Sequence, residues 1–78
     1  SPIDVNQAGA EDLILIPAFS PLVAQAVVDY REANGPFRSL PELQQVEGVT
    51  PQVYAEARPY LRIGEALGVE APRPARFP

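Results

Sequence analysis

The chain has no cysteine, no histidine, no methionine and no tryptophan, and its six cations are all arginine. Each absence closes a class of function. Without cysteine there is no disulfide framework and no thiol nucleophile. Without cysteine and histidine together there is no zinc site of the usual kind and no imidazole for acid–base work. The aliphatic hydroxyls are Ser1, Ser20, Ser39 and Thr50, and with no histidine to activate them a hydrolase triad is excluded. The neighbouring carboxylates Glu11 and Asp12 suit a helix N-terminus, and Asp29 and Glu32 flank Arg31 on a solvated helix end, so neither pair reads as an acid–base site. No cofactor-binding pattern is present, and the chain is expected not to be an enzyme.

Long apolar runs are missing too. The longest branched-aliphatic run is Leu13 to Ile16, far short of the roughly 20 residues that cross a bilayer. The opening residues Ser1-Pro2-Ile3-Asp4 are polar and extended, unlike the charged and then apolar start of a signal peptide. Positive charge is scarce: ten acidic residues against six arginines give a net charge of −4. That sign argues against a generic polyanion binder.

What is present is a chain of 78 residues, 46% of them hydrophobic and spread along its length. One domain is expected, near the size at which a single core becomes marginal. Gly9 followed by Glu11 and Asp12 starts a helix predicted over Ala10 to Ile16. Pro21 opens a second, with Val23, Ala26, Val27 and Tyr30 at helical spacing, which Asn34-Gly35-Pro36 stops after Ala33 through a left-handed cap. Ser39 and Glu42 form a capping box, predicting a third helix over Leu40 to Val46. Pro51 sits at another first turn, and Val53, Tyr54 and Ala57 carry a fourth helix to Arg58, ahead of Pro59.

The two halves repeat at an offset of thirty: Leu13 with Leu43, Ile16 with Val46, Phe19 with Val49, Ser20 with Thr50, Pro21 with Pro51 and Val23 with Val53. Each half is a short helix, a tight hairpin and a second helix, and neither can bury its apolar face alone. The expected fold is therefore all-α, a compact tandem helix-hairpin-helix domain over residues 1–63. Phe37 is expected to plug its core, with Tyr60, Leu61 and Ile63 closing the far side. Residues 64–78 lose periodicity and gain proline, and read as a linker ending in a mobile tail over 70–78, where Arg73 and Arg76 form a sparse basic cluster.

The stretches IDVNQAGAEDLILIP, VVDYREANGPFRSLPEL and VEGVTPQVYAEARPYLRI, from Ile3 to Ile63, resemble the tandem helix-hairpin-helix domain of ComEA-type competence proteins. The resemblance rests on Val5-Asn6, on Asp29-Tyr30-Arg31-Glu32, on Asn34-Gly35-Pro36-Phe37 and on Arg58-Pro59-Tyr60-Leu61. It implies a non-catalytic protein, held outside the cytoplasm, periplasmic or tethered through a further segment, that binds double-stranded DNA during uptake. In such hairpins a Gly–apolar–Gly turn before a helix lets backbone N–H groups approach a phosphate, and a nearby cation supplies charge. Binding of that kind follows the backbone and not the base sequence.

This chain departs from that pattern inside the hairpins. The first, Pro17-Ala18-Phe19-Ser20-Pro21, has Ala18 and Ser20 where the family tends to have glycine. The second keeps Gly48, has Thr50 for the other glycine, and carries Glu47 and Gln52 where lysine is common. Arg31 and Arg58 lie at the far ends of their helices. The candidate nucleic-acid-binding residues are Gly48, Val49 and Thr50 in the second hairpin, with Ser20 in the first. Ser20 and Thr50 have a plainer role open to them, as helix caps. Phe19 either protrudes as an anchor for a protein partner or folds back on the core. Tyr30, Tyr54 and Tyr60 lie on apolar stripes and read as core residues rather than as stacking platforms. Two functions stay open: weak, sequence-independent binding of duplex DNA, or an assembly module that keeps the fold and uses it for an unidentified protein partner.

Overall fold

A computed structural model describes residues 2–64. In order they form strand β1 (Ile3–Asp4), helix α1 (Ala10–Leu13), helix α2 (Pro21–Asn34), a 3-10 segment (Leu40–Gln45), helix α3 (Pro51–Ala57), a 3-10 turn (Arg58–Tyr60) and strand β2 (Leu61–Arg62). The mostly helical, two-unit architecture agrees with the expected fold. From residue 65 onward, the expected linker and tail lie outside the described residues.

Both first helices are tighter and shorter than their sequences suggest, for one reason. The apolar residues there recur every third position, as Ala10, Leu13, Ile16 and Phe19 in one repeat and Leu40, Leu43, Val46 and Val49 in the other. A helix of 3.0 residues per turn stacks such a row on one side, whereas a 3.6-residue helix lets it drift. Accordingly Leu40–Gln45 is 3-10 throughout. After its single α-turn the first repeat also closes by three-residue bonds, from the Leu15 N–H to Asp12 O and from Ile16 to Leu13 O, both 3.1 Å. Leu13, Ile16, Phe19, Leu43, Val46 and Val49 are all buried in one cluster with Ala24, Val27 and Ala57.

The remaining helix ends follow local chemistry. Ser20 and Thr50 cap α2 and α3, their hydroxyls accepting the N–H of Val23 at 3.2 Å and of Val53 at 3.1 Å. Gly35 ends α2 at φ +88° and ψ 177°, a backbone conformation reserved for glycine but not the left-handed helical one. The capping box is displaced. Ser39 makes no side-chain cap, and the Glu42 carboxylate instead accepts the Arg38 N–H at 2.8 Å.

Phe37 is the largest fully buried side chain, at 2% exposure. Its ring stacks on Tyr30, centroids 5.2 Å apart at 11° between planes. Its backbone is held by Asn6, whose side-chain oxygen accepts the Phe37 N–H at 2.7 Å while its amide donates to Phe37 O at 3.0 Å. Arg31 ties the same N-terminal loop to α2, donating to Val5 O at 2.9 Å and Ala8 O at 2.7 Å. Of the residues expected to close the far side, Leu61 is buried and Ile63 half-buried, but Tyr60 is exposed on its 3-10 turn. Beyond the expected elements, β1 and β2 pair in parallel, Ile3 with Leu61 and Asp4 with Arg62. Asp4 lies 3.7 Å from the Arg62 guanidinium. Its carboxylate also fills the space that a side chain on Gly64 would need.

Among the described residues no helix is long and apolar enough to cross a membrane. Loss of hydration, and then the Glu42 carboxylate to which the Tyr30 hydroxyl donates at 3.2 Å, hold that phenol above its ordinary value of 10.0. Because the folded state favours the neutral phenol, its contribution to stability is complete below pH 10.0 and is lost as pH rises through the raised value. Alkaline titration should show this loss in the native chain and not in Tyr30→Phe.

Replacing Asn6 with alanine leaves the Phe37 N–H and carbonyl without partners in a part-buried place. A loss of about 2 kcal/mol is expected in urea unfolding, with Asn6→Asp, which keeps an acceptor and loses the donor, falling between.

Candidate nucleic-acid interface

The two hairpins are closed in the same way. In each, a β-turn is closed by one bond, from the Phe19 N–H to Ile16 O at 2.9 Å and from Val49 to Val46 O at 3.0 Å. The central apolar residue then points inward, with Phe19 at 6% and Val49 at 5% exposure. Phe19 is therefore a core residue, and the alternative of a protruding partner anchor is corrected. The period-three row that carries Leu13 and Ile16 places the next position, 19, on the same buried side.

Val49 is corrected as a phosphate donor for a related reason: its N–H already closes the turn. The available donors lie on alternate residues. Among the described residues, no acceptor takes the N–H of Ala18, Ser20 or Leu22 in the first hairpin, nor of Gly48, Thr50 or Gln52 in the second. Gly48, Thr50, Ser20, Leu22 and Gln52 are exposed, and Ala18 is half-buried. Of the candidate residues, Gly48, Thr50 and Ser20 thus retain free amides. Ser20 and Thr50 use their hydroxyl oxygens as helix caps, while the hydroxyl protons stay free to donate.

Two of the three missing glycines, at positions 20 and 50, matter less to the backbone than the sequence suggests. Ser20 sits at φ −87°, ψ 167° and Thr50 at φ −76°, ψ 166°, extended angles that any residue adopts. Gly48 is different, at φ +94°. It occupies the third position of its turn, where a positive φ marks a type II turn and favours glycine. A Cβ there would also approach Val23 Cγ2 at 3.1 Å, so this glycine lets the two hairpins meet.

Where they meet is a groove of about 410 Å³ lined by Ser20, Leu22, Val23, Ala26, Glu47 and Gly48. It contains two features that reading the sequence by motif passed over. Leu22 is 84% exposed. Its signal was its place one residue off the stripe of Val23, Val27 and Tyr30. The second is the proximity of Glu47, on one repeat, to the helix start of the other. Charge is unhelpful for gripping phosphate: Glu47 is exposed on the turn, and Arg31 is committed to Val5 O and Ala8 O.

This duplicated hairpin is the signature of a known class. Residues 1–62 match the family described as the helix-hairpin-helix motif, and the chain belongs to it. The match is to that motif at large, and the ComEA-type branch is not singled out. The chain is 34% identical over 79 residues to an uncharacterised protein of Neisseria meningitidis serogroup A, covering 97% of this chain and 10% of that protein. A protein of Neisseria gonorrhoeae named transcriptional accessory protein Tex is 33% identical, again with 97% of this chain and 10% of the relative covered. An endonuclease/exonuclease/phosphatase family domain-containing protein of Mus musculus is 33% identical over 62 residues, 69% of this chain and 11% of the relative. The chain thus spans about a tenth of the length of the curated relatives it matches.

The backbone angles make a measurable distinction between the two glycine positions. Thr50→Ala should cost about 1 kcal/mol through the lost cap, and Thr50→Gly only a few tenths. Gly48→Ala should cost about 1–3 kcal/mol, because alanine is strained at that φ. Urea unfolding of the three variants checks the order.

Proposed function

We propose that this domain is a non-catalytic nucleic-acid-binding module that holds phosphate through hairpin backbone amides, with duplex DNA as its ligand, weakly and without sequence preference. One observation carries the reading: the same alternate set of unpartnered N–H groups appears in both hairpins, and Ser20 and Leu22 of the first meet Gly48 of the second at one groove. Neutral amides can hold a phosphate oxygen without any side chain, and a paired set suits a paired backbone. Membership of the helix-hairpin-helix family supports it. So does the setting of such domains as about a tenth of larger proteins, one named for a role accessory to transcription, where a small module can attach a larger one to nucleic acid. The resemblance to ComEA-type proteins extends the proposal to duplex captured outside the cytoplasm during uptake.

A second reading, a module for a protein partner, is favoured by the net charge of −4 and by Glu47 on the hairpin that would face the phosphate. Both features lower affinity for DNA. At physiological salt, binding is therefore expected to be weaker than the roughly 10⁻⁴ to 10⁻⁶ M of ordinary non-specific binders.

An amide-resolved NMR titration with a short duplex separates the readings. The N–H signals of Gly48, Thr50 and Gln52 should shift at low salt and return as salt is raised. Glu47→Lys, which exchanges a repelling charge for an attracting one, should tighten low-salt binding roughly three- to ten-fold and steepen its salt dependence. Hairpin amides that stay still at low salt, in the native chain and in Glu47→Lys alike, leave the protein-partner reading standing.

A further inference from the structure

The groove between the hairpins is lined unequally by the two repeats. Its apolar wall is Leu22, Val23 and Ala26 at the start of α2, and its polar edge is Glu47 and Ser20. The repeat partner of Leu22 is Gln52, which donates to Glu56 at 3.4 Å, and the repeat partner of Glu47 is Pro17. An exposed leucine from one repeat and an exposed carboxylate from the other therefore come together at a single place. Among the described residues nothing donates to that carboxylate. A free carboxylate beside free amides is a poor neighbour for phosphate, yet it is a good acceptor for the donor edge of a base.

Resting on the nucleic-acid reading, and adding to its sequence-independent grip on duplex a base preference confined to unpaired strand, we propose that this groove takes one unpaired nucleobase carrying an exocyclic amine. Leu22 and Val23 lie against the ring, and the Glu47 carboxylate accepts from the amine. The chemistry fits at each point. A groove of about 410 Å³ falls within the size of clefts that hold small ligands. Leu22, 84% exposed, gains by being covered with a flat apolar face. The flanking amides of Leu22 and Gly48 hold the sugar–phosphate chain while the base turns in. Cytosine presents an amine where thymine presents a carbonyl oxygen, so the carboxylate accepts from one and repels the other. A stacked, paired base must first be unstacked, whereas an unpaired one enters freely. Intact duplex is held by the backbone amides alone, whereas an end, gap or single strand adds this base contact, with Glu47 as its selective group.

The test compares oligo-dC, oligo-dT and a short duplex, each titrated at low salt into the full chain with amide and methyl NMR detection. Oligo-dC is expected to bind about tenfold tighter than oligo-dT, in line with one hydrogen bond to a charged group. It should also bind more tightly than the duplex and shift the Val23 methyl signals together with the Gly48 amide. Glu47→Ala should bring the dC-to-dT ratio close to one without weakening dT, and Leu22→Ala should remove the advantage of single strand over duplex. Both side chains are exposed, so neither variant disturbs the core. Equal binding of dC and dT while the hairpin amides still shift overturns the base site and leaves phosphate binding intact. No shift with any of the three overturns both. Shifts of Val23 and Gly48 with an arginine–phenylalanine peptide, and none with oligonucleotides, assign the groove to a protein segment and overturn the proposal.

Discussion

The fold hangs on the pairing of the Asn6 side chain with the backbone of Phe37. Phe37 lies in the connector between the repeats, where no helix or strand satisfies its N–H and carbonyl. A phenyl ring can be driven into a core by its area alone, but the peptide group that travels with it must find partners or lose hydration at a cost of about 1–3 kcal/mol. Asn6 supplies one donor and one acceptor in the geometry that a neighbouring strand would provide. With the peptide satisfied, Phe37 fills the space between the repeats, Tyr30 stacks on it, and Glu42 receives the Tyr30 hydroxyl at 3.2 Å. Arg31 closes the same arrangement from the other side. Three of the four stretches that carry the family resemblance, through Asn6, Tyr30-Arg31 and Phe37, are thus the ones that join the repeats. They carry architecture, and the ligand chemistry proposed for the domain lies apart from them, in the hairpins.

That division explains what was legible in the sequence. The thirty-residue repeat, the helix starts at Pro21 and Pro51, the caps at Ser20 and Thr50 and the burial of Phe37 all rest on local patterns, and all appear in the structure. The 3-10 geometry of Leu40–Gln45 was also written in the sequence, as apolar residues three apart, but the expectation of an α-helix overrode that period. The short parallel pair was not legible, because two residues are too few for any alternation to show. Nor was the displaced capping box, since Ser39 and Glu42 match the motif whether the glutamate turns to Ser39 or to Arg38.

The candidate site was legible only in part. Spacing located both hairpins and identified Gly48 as special. It did not say which amides are spent, and Val49 closes its turn instead of facing solvent. Glycines missing at positions 18, 20 and 50 suggested a dismantled site, yet the extended angles at 20 and 50 need no glycine, so the loss at those two is one of side-chain clearance. The contact of Gly48 with Val23 depends on how one repeat leans on the other. No local pattern encodes that.

The parallel pairing of Ile3–Asp4 with Leu61–Arg62 has a mechanical consequence. Chain flanking the domain leaves from the upstream end of one strand and the downstream end of its neighbour. Tension applied through those flanks pulls the two strands past each other along their length, so the bonds between them are strained together and not peeled open one at a time. A module placed between moving parts of a larger protein would have its clasp loaded in shear, the more resistant geometry. Its core and hairpins would keep their arrangement until that clasp gave way.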